Sequence, residues 1–483
     1  MSRNQNSRGE INRGLSRRTF LRGIGATMAL PWLETLSRFG IASAAEPAAS
    51  PAPPYSAAVK AVRARVGDAP FQELLLRLRK TNSDIHLKGL KTIRGVPNAG
   101  GAFLTGYPYT EFYDWDLYFE NLYLSYYGVF PYCYTNLKEF LSRQHADGYI
   151  NRSLNKQRDR QHFKPFLAQL VVLGARQDKD NYDWVKESPA DATVTVPANG
   201  SYYNRLKLYL DKWFSYDGDG NGLPTWNSAD AAGTDNQWSR AGQIGAFEVE
   251  GVDLAAYLVR ELQAMAVIAG HLGEKKDAQS FRDHAAKLNR LINEVFWDEK
   301  QGLYFDRNEK TKQPVPVKSA TNFMPLFCGA PTKSQVKRMV AEHLTNEKEF
   351  WLPYPVASYA KTEPDYYQGS HILPNGSHEC NWRGSTWAPT NYMIFQGLMR
   401  YGQIDVAREL ARRLFEMAVV KNPVLREYYN AKTGEGLGQT NFWGFTALYY
   451  VMLLECELKF DASALEAKFR PIIPEELGIK FET

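Results

Sequence analysis

The sequence is dominated by segments of helical length in which apolar residues recur every three or four positions. Many of these segments are apolar over a wide face, which suits a helix with neighbours on two sides. Strand patterns are scarce, with one short β element at residues 302–306. The pattern therefore predicts an all-α fold. Helices are predicted over residues 57–66, 71–80, 117–130, 135–145, 162–173, 202–214, 252–272, 278–295, 333–343, 387–401, 406–419 and 442–454.

Several connections between these helices are long and rich in Gly, Asn, Trp and Asp. Because a rigid scaffold commonly carries its functional residues on loops, we expect these connections to hold the site. Paired helices with such loops predict a toroid whose site lies on one face. The helix spacing alone equally allows a helical solenoid, although the sequence shows no repeat of fixed period.

Composition narrows the class of partner. Aromatic residues make up 13% of the 483 residues, with 28 Tyr and 11 Trp, and aromatic rings stack on the apolar faces of sugars. The formal charge of +5 includes a basic leader, and no basic aromatic stripe indicates a nucleic-acid partner. The four cysteines lie far apart without zinc spacing, so we expect buried thiols; disulfides are the alternative in an exported protein.

The first residues have the features of an export signal. Residues 16–21 read SRRTFL, a twin-arginine motif, and an apolar stretch over residues 23–36 precedes small residues at 42–44. That stretch is too short to span a bilayer, so we expect no membrane span in the mature chain. An amphipathic first helix is the alternative. We predict a signal peptide over residues 1–44, a linker over 45–55 and one domain over 56–483, exported folded to the periplasm or beyond.

Glu427 ends an extended stretch and precedes a glycine-rich segment, residues 433–438, of sequence TGEGLG. Glycine lets the backbone approach another group closely, at a cost in conformational entropy. A carboxylate presented in this way suits catalysis, and a surface turn with an exposed Glu is the alternative. Glu435 lies within the same segment.

Residues 225–240 contain Trp226, Asp235 and Arg240 together with a second Trp and a second Asp. Poor solvation beside Trp raises the pKa of a carboxyl, which suits a proton donor. Asn236 and Gln237 directly follow Asp235 and are candidate substrate-binding residues, as is Trp226.

A third group is the stretch CNWRGSTWAPTNY over residues 380–392. Arg383 could bind an acidic substrate group, orient a catalytic carboxylate, or form a purely structural pair. Trp382, Gly384 and Trp387 are candidates for lining a substrate pocket.

A fourth group is Trp115 and Asp116, just before a predicted helix. Asp116 could cap that helix, or it could accept sugar hydroxyls while Trp115 supports a pyranose face.

Asp217, Asp219 and Asn221, followed by Gly222, have the spacing that opens a calcium loop. The twelfth position is Ser228 instead of the usual Glu, so a turn without metal is equally compatible. No cofactor is otherwise expected.

In chain order, the Trp115–Asp116 pair, residues 233–236, residues 382–387 and residues 427–436 resemble the (α/α)6-barrel glycoside hydrolases. This superfamily includes trehalases, processing α-glucosidases and glycosylglycerate hydrolases, and the similarity extends over roughly residues 80–460. The resemblance implies an (α/α)6 barrel and an inverting mechanism. Trehalases carry a longer glycine run and additional arginines, which this sequence lacks.

By position, the resemblance implies that Asp235 is the general acid and Glu427 the general base, with Asp116 holding the glycone. Inversion requires about 6.5–9.5 Å between the two carboxyls. We expect Asp235 to titrate upward and Glu427 to stay ionised beside a cation. The expected substrate is an α-linked gluco- or manno-configured oligosaccharide or a glycosylglycerate, whose carboxylate would need a basic subsite for which Arg240 and Arg383 are candidates.

Two other function classes are compatible with the sequence. One is a non-catalytic carbohydrate-binding or scaffold protein on a degenerate barrel. The other is a polysaccharide lyase or unsaturated-uronide hydrolase, but His145, His162 and His371 lie outside the aromatic–acidic motifs, where packing or surface roles are expected.

Overall fold

The structure is a computed structural model. It describes residues 55–91, 103–106, 111–154, 161–189, 198–226, 230–237, 248–372, 376, 379–465, 468–469, 471, 473 and 477–481. The predicted signal peptide and nearly all of the linker lie outside these residues, as does Arg240. The assignments of leader, export and basic subsite that depend on them therefore stay predictions. Within the described part of the chain, no helix combines the length and apolar character needed to cross a bilayer.

The α-helices of the described residues are α1 Tyr55–Val66, α2 Asp68–Asp84, α3 Asp114–Ser125, α4 Pro131–Ser142, α5 Leu167–Gln177, α6 Tyr202–Phe214, α7 Val252–Leu272, α8 Lys275–Leu291, α9 Pro325–Cys328, α10 Lys333–Arg338, α11 Ala388–Arg400, α12 Ile404–Phe415 and α13 Met452–Leu458. Short 3₁₀ helices, Ala320–Phe323 and Thr446–Tyr450, precede α9 and α13. Single-turn π-helices extend α2, α8, α10 and α12.

Six helical elements close into an inner ring. Helix α3 packs on α5, α5 on α7, α7 on α9, and α9 on α11. Helix α11 then packs on the 3₁₀ helix Thr446–Tyr450, which returns to α3 and completes the ring. Outside it, α4 packs on α3 and α5, α8 on α7, and α12 on α11 and α13. This alternation of inner and outer helices is the predicted toroid, and ring closure excludes the open solenoid.

The sequence explains which helices lie inside. Every residue of α3 is buried, and α7 is buried around nearly its whole circumference because most of its residues are apolar or small. Outer helix α8 buries a narrow stripe, Ala278, Ala285 and Leu288, and presents Lys, Asp and Arg to solvent.

The predicted helix boundaries agree with the structure for α6 and α7, whereas two predictions were wrong. The inner element over residues 320–328 was missed because it consists of two short turns, Ala320–Phe323 and Pro325–Cys328, with Met324 between them. Residues 442–454 were predicted as one helix, but the helical structure there begins at Thr446 and changes from 3₁₀ to α.

The strands of the described residues form two-stranded antiparallel pairs between the helices. These are β1 Leu90–Lys91 with β2 Phe103–Leu104, β3 Val249–Glu250 with β6 Arg307–Asn308, β4 Trp297–Asp298 with β5 Leu303–Tyr304, and β7 Arg426–Tyr429 with β8 Gly436–Thr440. The predicted β element at 302–306 contains β5. The β7–β8 hairpin is the longest of the four pairs, and it carries Glu427.

Candidate active site

Glu427 lies at an irregular point of the β7–β8 hairpin. Arg426 pairs with Thr440 and Tyr428 with Leu437, so Glu427 faces two residues, Gly438 and Gln439. The extra residue is a bulge with Gly438 at φ 66°, a conformation that favours glycine. The bulge turns the Gln439 N–H toward Glu427, whose Oε2 accepts it at 3.0 Å. The glycine segment thus brings backbone against the carboxylate itself.

Burial raises the pKa of Glu427 to about 7, against the hydrogen bond from Gln439, and the charge of Asp235 adds to the rise. The prediction that a cation keeps Glu427 ionised was therefore wrong. Arg426 is adjacent in sequence, but its guanidinium donates to the Gly438 carbonyl at 2.9 Å and lowers the pKa less than burial raises it. The influence of Asp235 on Glu427 shows that the two predicted catalytic carboxyls are brought together.

Asp235 lies half-buried in the turn after a 3₁₀ helix, Asp230–Ala232. The turn begins at Gly233, which has φ 73° and would place a Cβ 2.7 Å from the Lys164 side chain. Beyond Asp235, the Asn236 amide accepts the Trp382 N–H at 2.8 Å and donates to the Tyr367 hydroxyl at 3.1 Å. These bonds attach the Asp235 loop to the stretch that was predicted to line the pocket.

Trp115 and Asp116 belong to the first turn of α3, which follows Tyr113. Asp116 therefore lies inside the helix, and the capping alternative does not apply. Lys164 lies next to this pair. Its ammonium is 4.8 Å from the Trp115 ring centre and 3.0 Å from Asp114 Oδ2, and the side chains of Lys164 and Asp114 are fully buried. Burial, and then the charge of Arg152, lower the pKa of Lys164 to about 8, against the opposing effect of Asp114.

Glu120 lies one turn beyond Asp116 and is completely buried. Neither of its carboxyl oxygens has a hydrogen-bond partner among the described residues. Burial, and then the charge of Asp116, raise the pKa of Glu120 well above its usual value. The protonated form of Glu120 is therefore favoured next to Asp116.

Arg383 faces a carboxylate that the sequence reasoning did not identify. Its guanidinium lies 4.9 Å from the Tyr367 ring centre, and the Tyr367 hydroxyl donates to Glu379 Oε2 at 2.7 Å. Burial alone would raise the pKa of Glu379, but bonds from Tyr367 and Asn236 and the charge of Arg383 outweigh it and hold the pKa below its usual value. Of the three roles considered for Arg383, an interaction with a protein carboxylate is the one that these contacts support.

An aromatic stack runs beneath these residues. The rings of Trp382 and Trp387 are parallel at 4.1 Å, and Trp387 stacks on Tyr428 at 4.5 Å. At the other end, Trp115 lies 6.1 Å from Trp382. All four rings are buried, with at most 3% exposure. Trp382 and Trp387 therefore cover each other and support the site from beneath, with little of either ring open to solvent.

Three of the residues predicted to bind substrate are packed against other parts of the protein, and their contact with substrate stays a prediction. Trp226 is fully buried, with its ring edge on Trp213 and its N–H donated to Asp253 at 3.1 Å. Gln237 is buried and donates to the Trp382 carbonyl at 3.2 Å. Gly384 is needed because a Cβ there would overlap the Tyr367 carbonyl.

The predicted calcium loop contains a partly different cluster. One oxygen each from Asp217, Asp219 and Glu309 lie within 4.8 Å of one another, so Glu309 supplies the carboxylate that Ser228 could not. Asn221 serves the turn instead: its amide accepts the Leu223 N–H at 2.7 Å and donates to Glu250 at 2.7 Å. Backbone N–H groups already bind Asp217 and Glu309, and Lys312 contacts Asp219. Calcium binding by Asp217 and Asp219 stays a prediction, with Glu309 in place of Asn221.

The sequence pattern did not identify Lys164, Tyr367, Glu379 or Cys380 as neighbours of the predicted site residues. The four cysteines are free thiols, as expected, and Cys133, Cys328 and Cys456 are buried in the barrel. Cys380 differs because its Sγ lies 3.7 Å from Glu427 Oε1. Its position at the start of the Trp382–Trp387 motif was the available indication.

A closed ring of inner helices with outer helices packed around it is the architecture of an (α/α)6 barrel. The sequence pattern of the mannosylglycerate hydrolase MGH1-like glycoside hydrolase domain matches residues 109–443, well over half of the chain. The chain therefore belongs to the MGH1-like glycoside hydrolase family. Members of this family are glycosidases, which hydrolyse O-glycosyl bonds.

Individual relatives agree with this assignment. A mannosylglycerate hydrolase of Thermus thermophilus is 30% identical over 158 residues, which are 32% of this chain and 34% of that protein. Mannosylglycerate hydrolase MGH1 of Selaginella moellendorffii is 29% identical over 174 residues, 35% of this chain and 32% of the relative. The aligned part thus spans about a third of each relative.

Solved structures share the fold. A mannosylglycerate hydrolase from a second strain of Thermus thermophilus, in complex with glucose, superposes with a TM-score of 0.58 at 20% identity, covering 77% of this chain and 99% of that one. An uncharacterized conserved protein of the same strain gives 0.60 at 19% identity, over 78% and 99% of the two chains. The predicted (α/α)6 barrel is confirmed.

Proposed function

We propose that the protein is an exported, inverting glycosidase with Asp235 as general acid and Glu427 as general base. The observation that carries this proposal is that Cys380 contacts both carboxyls, its Sγ lying 3.7 Å from Glu427 Oε1, although the two acids are almost two hundred residues apart in the sequence. One carboxyl would donate its proton to the leaving glycosidic oxygen. The other would take a proton from the water that attacks the anomeric carbon from the opposite face.

The raised pKa of Glu427 bears on this division of roles. With its pKa at about 7, Glu427 is half-ionised at neutral pH, and each carboxyl makes ionisation of the other less favourable. The active form would have Glu427 ionised as the base and Asp235 protonated as the acid.

The proposed substrate is an α-linked gluco- or manno-configured oligosaccharide or a glycosylglycerate. Support comes from the relatives, which include the mannosylglycerate hydrolases of Thermus thermophilus and Selaginella moellendorffii and a cytosolic neutral trehalase of Kluyveromyces lactis. Asp116 would accept hydroxyls of the glycone beside Trp115. The charge of Arg383 already stabilises the Glu379 carboxylate, so a substrate carboxylate would share the Arg383 guanidinium with Glu379.

The test is a panel of α-linked gluco- and manno-disaccharides and glycosylglycerates, with the first-formed product anomer read by NMR. We expect inversion, and we expect Asp235→Asn and Glu427→Gln to lower kcat about 10³-fold. Glu435→Gln is the matched control because Glu435 is exposed in the same hairpin and should leave kcat unchanged. Retention of configuration, or full activity in either carboxyl variant, would overturn the proposal.

Export has its own test. Replacing both Arg17 and Arg18 by Lys should hold the protein in the cytoplasm of a bacterial host that exports the unaltered chain. Cell fractionation measures the outcome, and equal periplasmic amounts of both proteins would refute twin-arginine export.

A further inference from the structure

The Cys380 thiol lies between the two proposed catalytic carboxyls. Its Sγ is 3.7 Å from Glu427 Oε1, within the reach of a sulfur hydrogen bond, and it also hydrogen-bonds with Asp235. The residue is half-buried, in contrast to the three other cysteines, which are enclosed by the barrel. Cys380 is thus in direct contact with both groups on which the proposed reaction depends.

The backbone around Cys380 is tied to both catalytic loops. On the side of the base, the Tyr428 hydroxyl donates to the Glu379 carbonyl at 2.6 Å. On the side of the acid, the Trp382 N–H donates to the Asn236 amide at 2.8 Å. The residues before and after Cys380 therefore fix its position relative to both Glu427 and Asp235.

The state of the thiol follows from its surroundings. Burial raises the pKa of Cys380 well above its usual value, and the charges of Glu427 and Asp235 raise it further. The thiol consequently keeps its proton at neutral pH and can act as a hydrogen-bond donor. Glu427 Oε2 already accepts the Gln439 N–H at 3.0 Å, so the thiol supplies a second donor, to the other oxygen.

We propose that Cys380 is a positioning residue for the general base: its thiol donates to Glu427 Oε1 and, together with the Gln439 N–H on Oε2, fixes the plane of the carboxylate toward the attacking water. This rests on the proposed function. Two donors on two different oxygens remove the rotation that one donor alone would permit. Correct orientation of a base contributes to rate, and the thiol would act through Glu427.

The kinetic test compares Cys380→Ser, which keeps a donor, with Cys380→Ala and Cys380→Val, which lack one. The described groups that face Glu427 are Asp235, Arg426, Tyr428 and Cys380. Loss of the thiol donor disfavours the ionised form of Glu427 and raises its pKa. The acidic limb of the kcat/KM profile should therefore move to higher pH in the Val variant, whose side chain keeps water out. We expect kcat to fall about tenfold in the Ala and Val variants and to stay within about threefold in the Ser variant.

A purely space-filling role would change thermal stability in all three variants and leave the pH profile in place. An unshifted acidic limb in Cys380→Val, or equal kcat losses in the Ser and Val variants, would overturn the proposal.

A second readout requires no substrate and therefore separates this proposal from the proposed function. The infrared S–H stretching band of Cys380 is isolated as the difference between the unaltered protein and Cys380→Ser. A thiol that donates to a carboxylate absorbs at lower frequency than one that does not, so the band should move to higher frequency in Glu427→Gln. The bands of Cys133, Cys328 and Cys456 should remain in place as internal controls. A Cys380 band that is indifferent to Glu427→Gln would refute the hydrogen bond, whatever the enzyme hydrolyses.

Discussion

Gly438→Ala tests whether the bulge of the β7–β8 hairpin fixes the base. Gly438 has φ 66°, and a Cβ there would lie 2.5 Å from Glu427 Oε2 and 2.6 Å from the Tyr428 ring. The left-handed backbone alone costs an alanine about 1–2 kcal/mol. Relief of both overlaps requires a shift of about 0.5–1 Å in the hairpin or in the carboxylate, which would weaken the Gln439–Glu427 bond. A misplacement of that size costs about 10² in rate, or about 2.7 kcal/mol of activation free energy.

Gly402→Ala is the matched control because Gly402 has φ 71° and a Cβ there would have no neighbour within 4 Å. It should lose about 1–2 kcal/mol of stability through backbone strain and keep its kcat. The assay combines kcat on the substrate identified above with thermal unfolding of both variants. Equal stability losses with equal, undiminished kcat would show that the bulge does not position Glu427.

Three further results are expected. Because the base must be ionised and burial raises the pKa of Glu427 to about 7, kcat/KM should rise with pH and reach half its plateau near pH 7; a midpoint near 4.5 in the pH–rate profile would contradict this. Calcium at about a hundred times its Kd should stabilise the protein by about 2.7 kcal/mol, measured by comparing thermal unfolding in calcium with thermal unfolding in EDTA. Glu309→Gln should abolish this gain, and the absence of a calcium effect on the unaltered protein would refute the calcium site. Lys164→Met leaves Asp114 buried without its cation and should cost about 3–5 kcal/mol in denaturant unfolding, most of which Asp114→Asn should restore in the double variant; a neutral single variant would refute the pairing.

The helical periodicity predicted the architecture well because most barrel helices are long enough for their apolar faces to be read directly. It failed at residues 320–328, where the ring is completed by two short turns around Pro325. A segment of this length has too few residues to show a period. Its helical state is set by packing between α7 and α11, which a linear pattern does not contain.

The loops that contain Asp235 and Glu427 indicated these two carboxyls in the sequence. In the structure, the charge of Asp235 contributes to the raised pKa of Glu427. The sequence could not show that Trp226 packs in the core against Trp213, because a Trp near an Asp gives the same sequence pattern whether it is buried or lines a site. From the sequence, we also expected a cation to stabilise ionised Glu427. In the structure, the Arg426 guanidinium instead donates to the Gly438 carbonyl across the hairpin. Contacts of this kind are tertiary, and so is the contact of Cys380 with Glu427.

The closure of the inner ring has a consequence for how the chain acquires its structure. Helix α3 completes its packing on the 3₁₀ helix Thr446–Tyr450, so the two edges of the ring are separated by more than three hundred residues (446 − 114 = 332). Contacts this distant in sequence make folding slow, since a long loop must close before they contribute. During synthesis, α3 would wait with one apolar flank uncovered until residues beyond 450 leave the ribosome. A nascent chain stalled before that point is the form of this protein most in need of a chaperone.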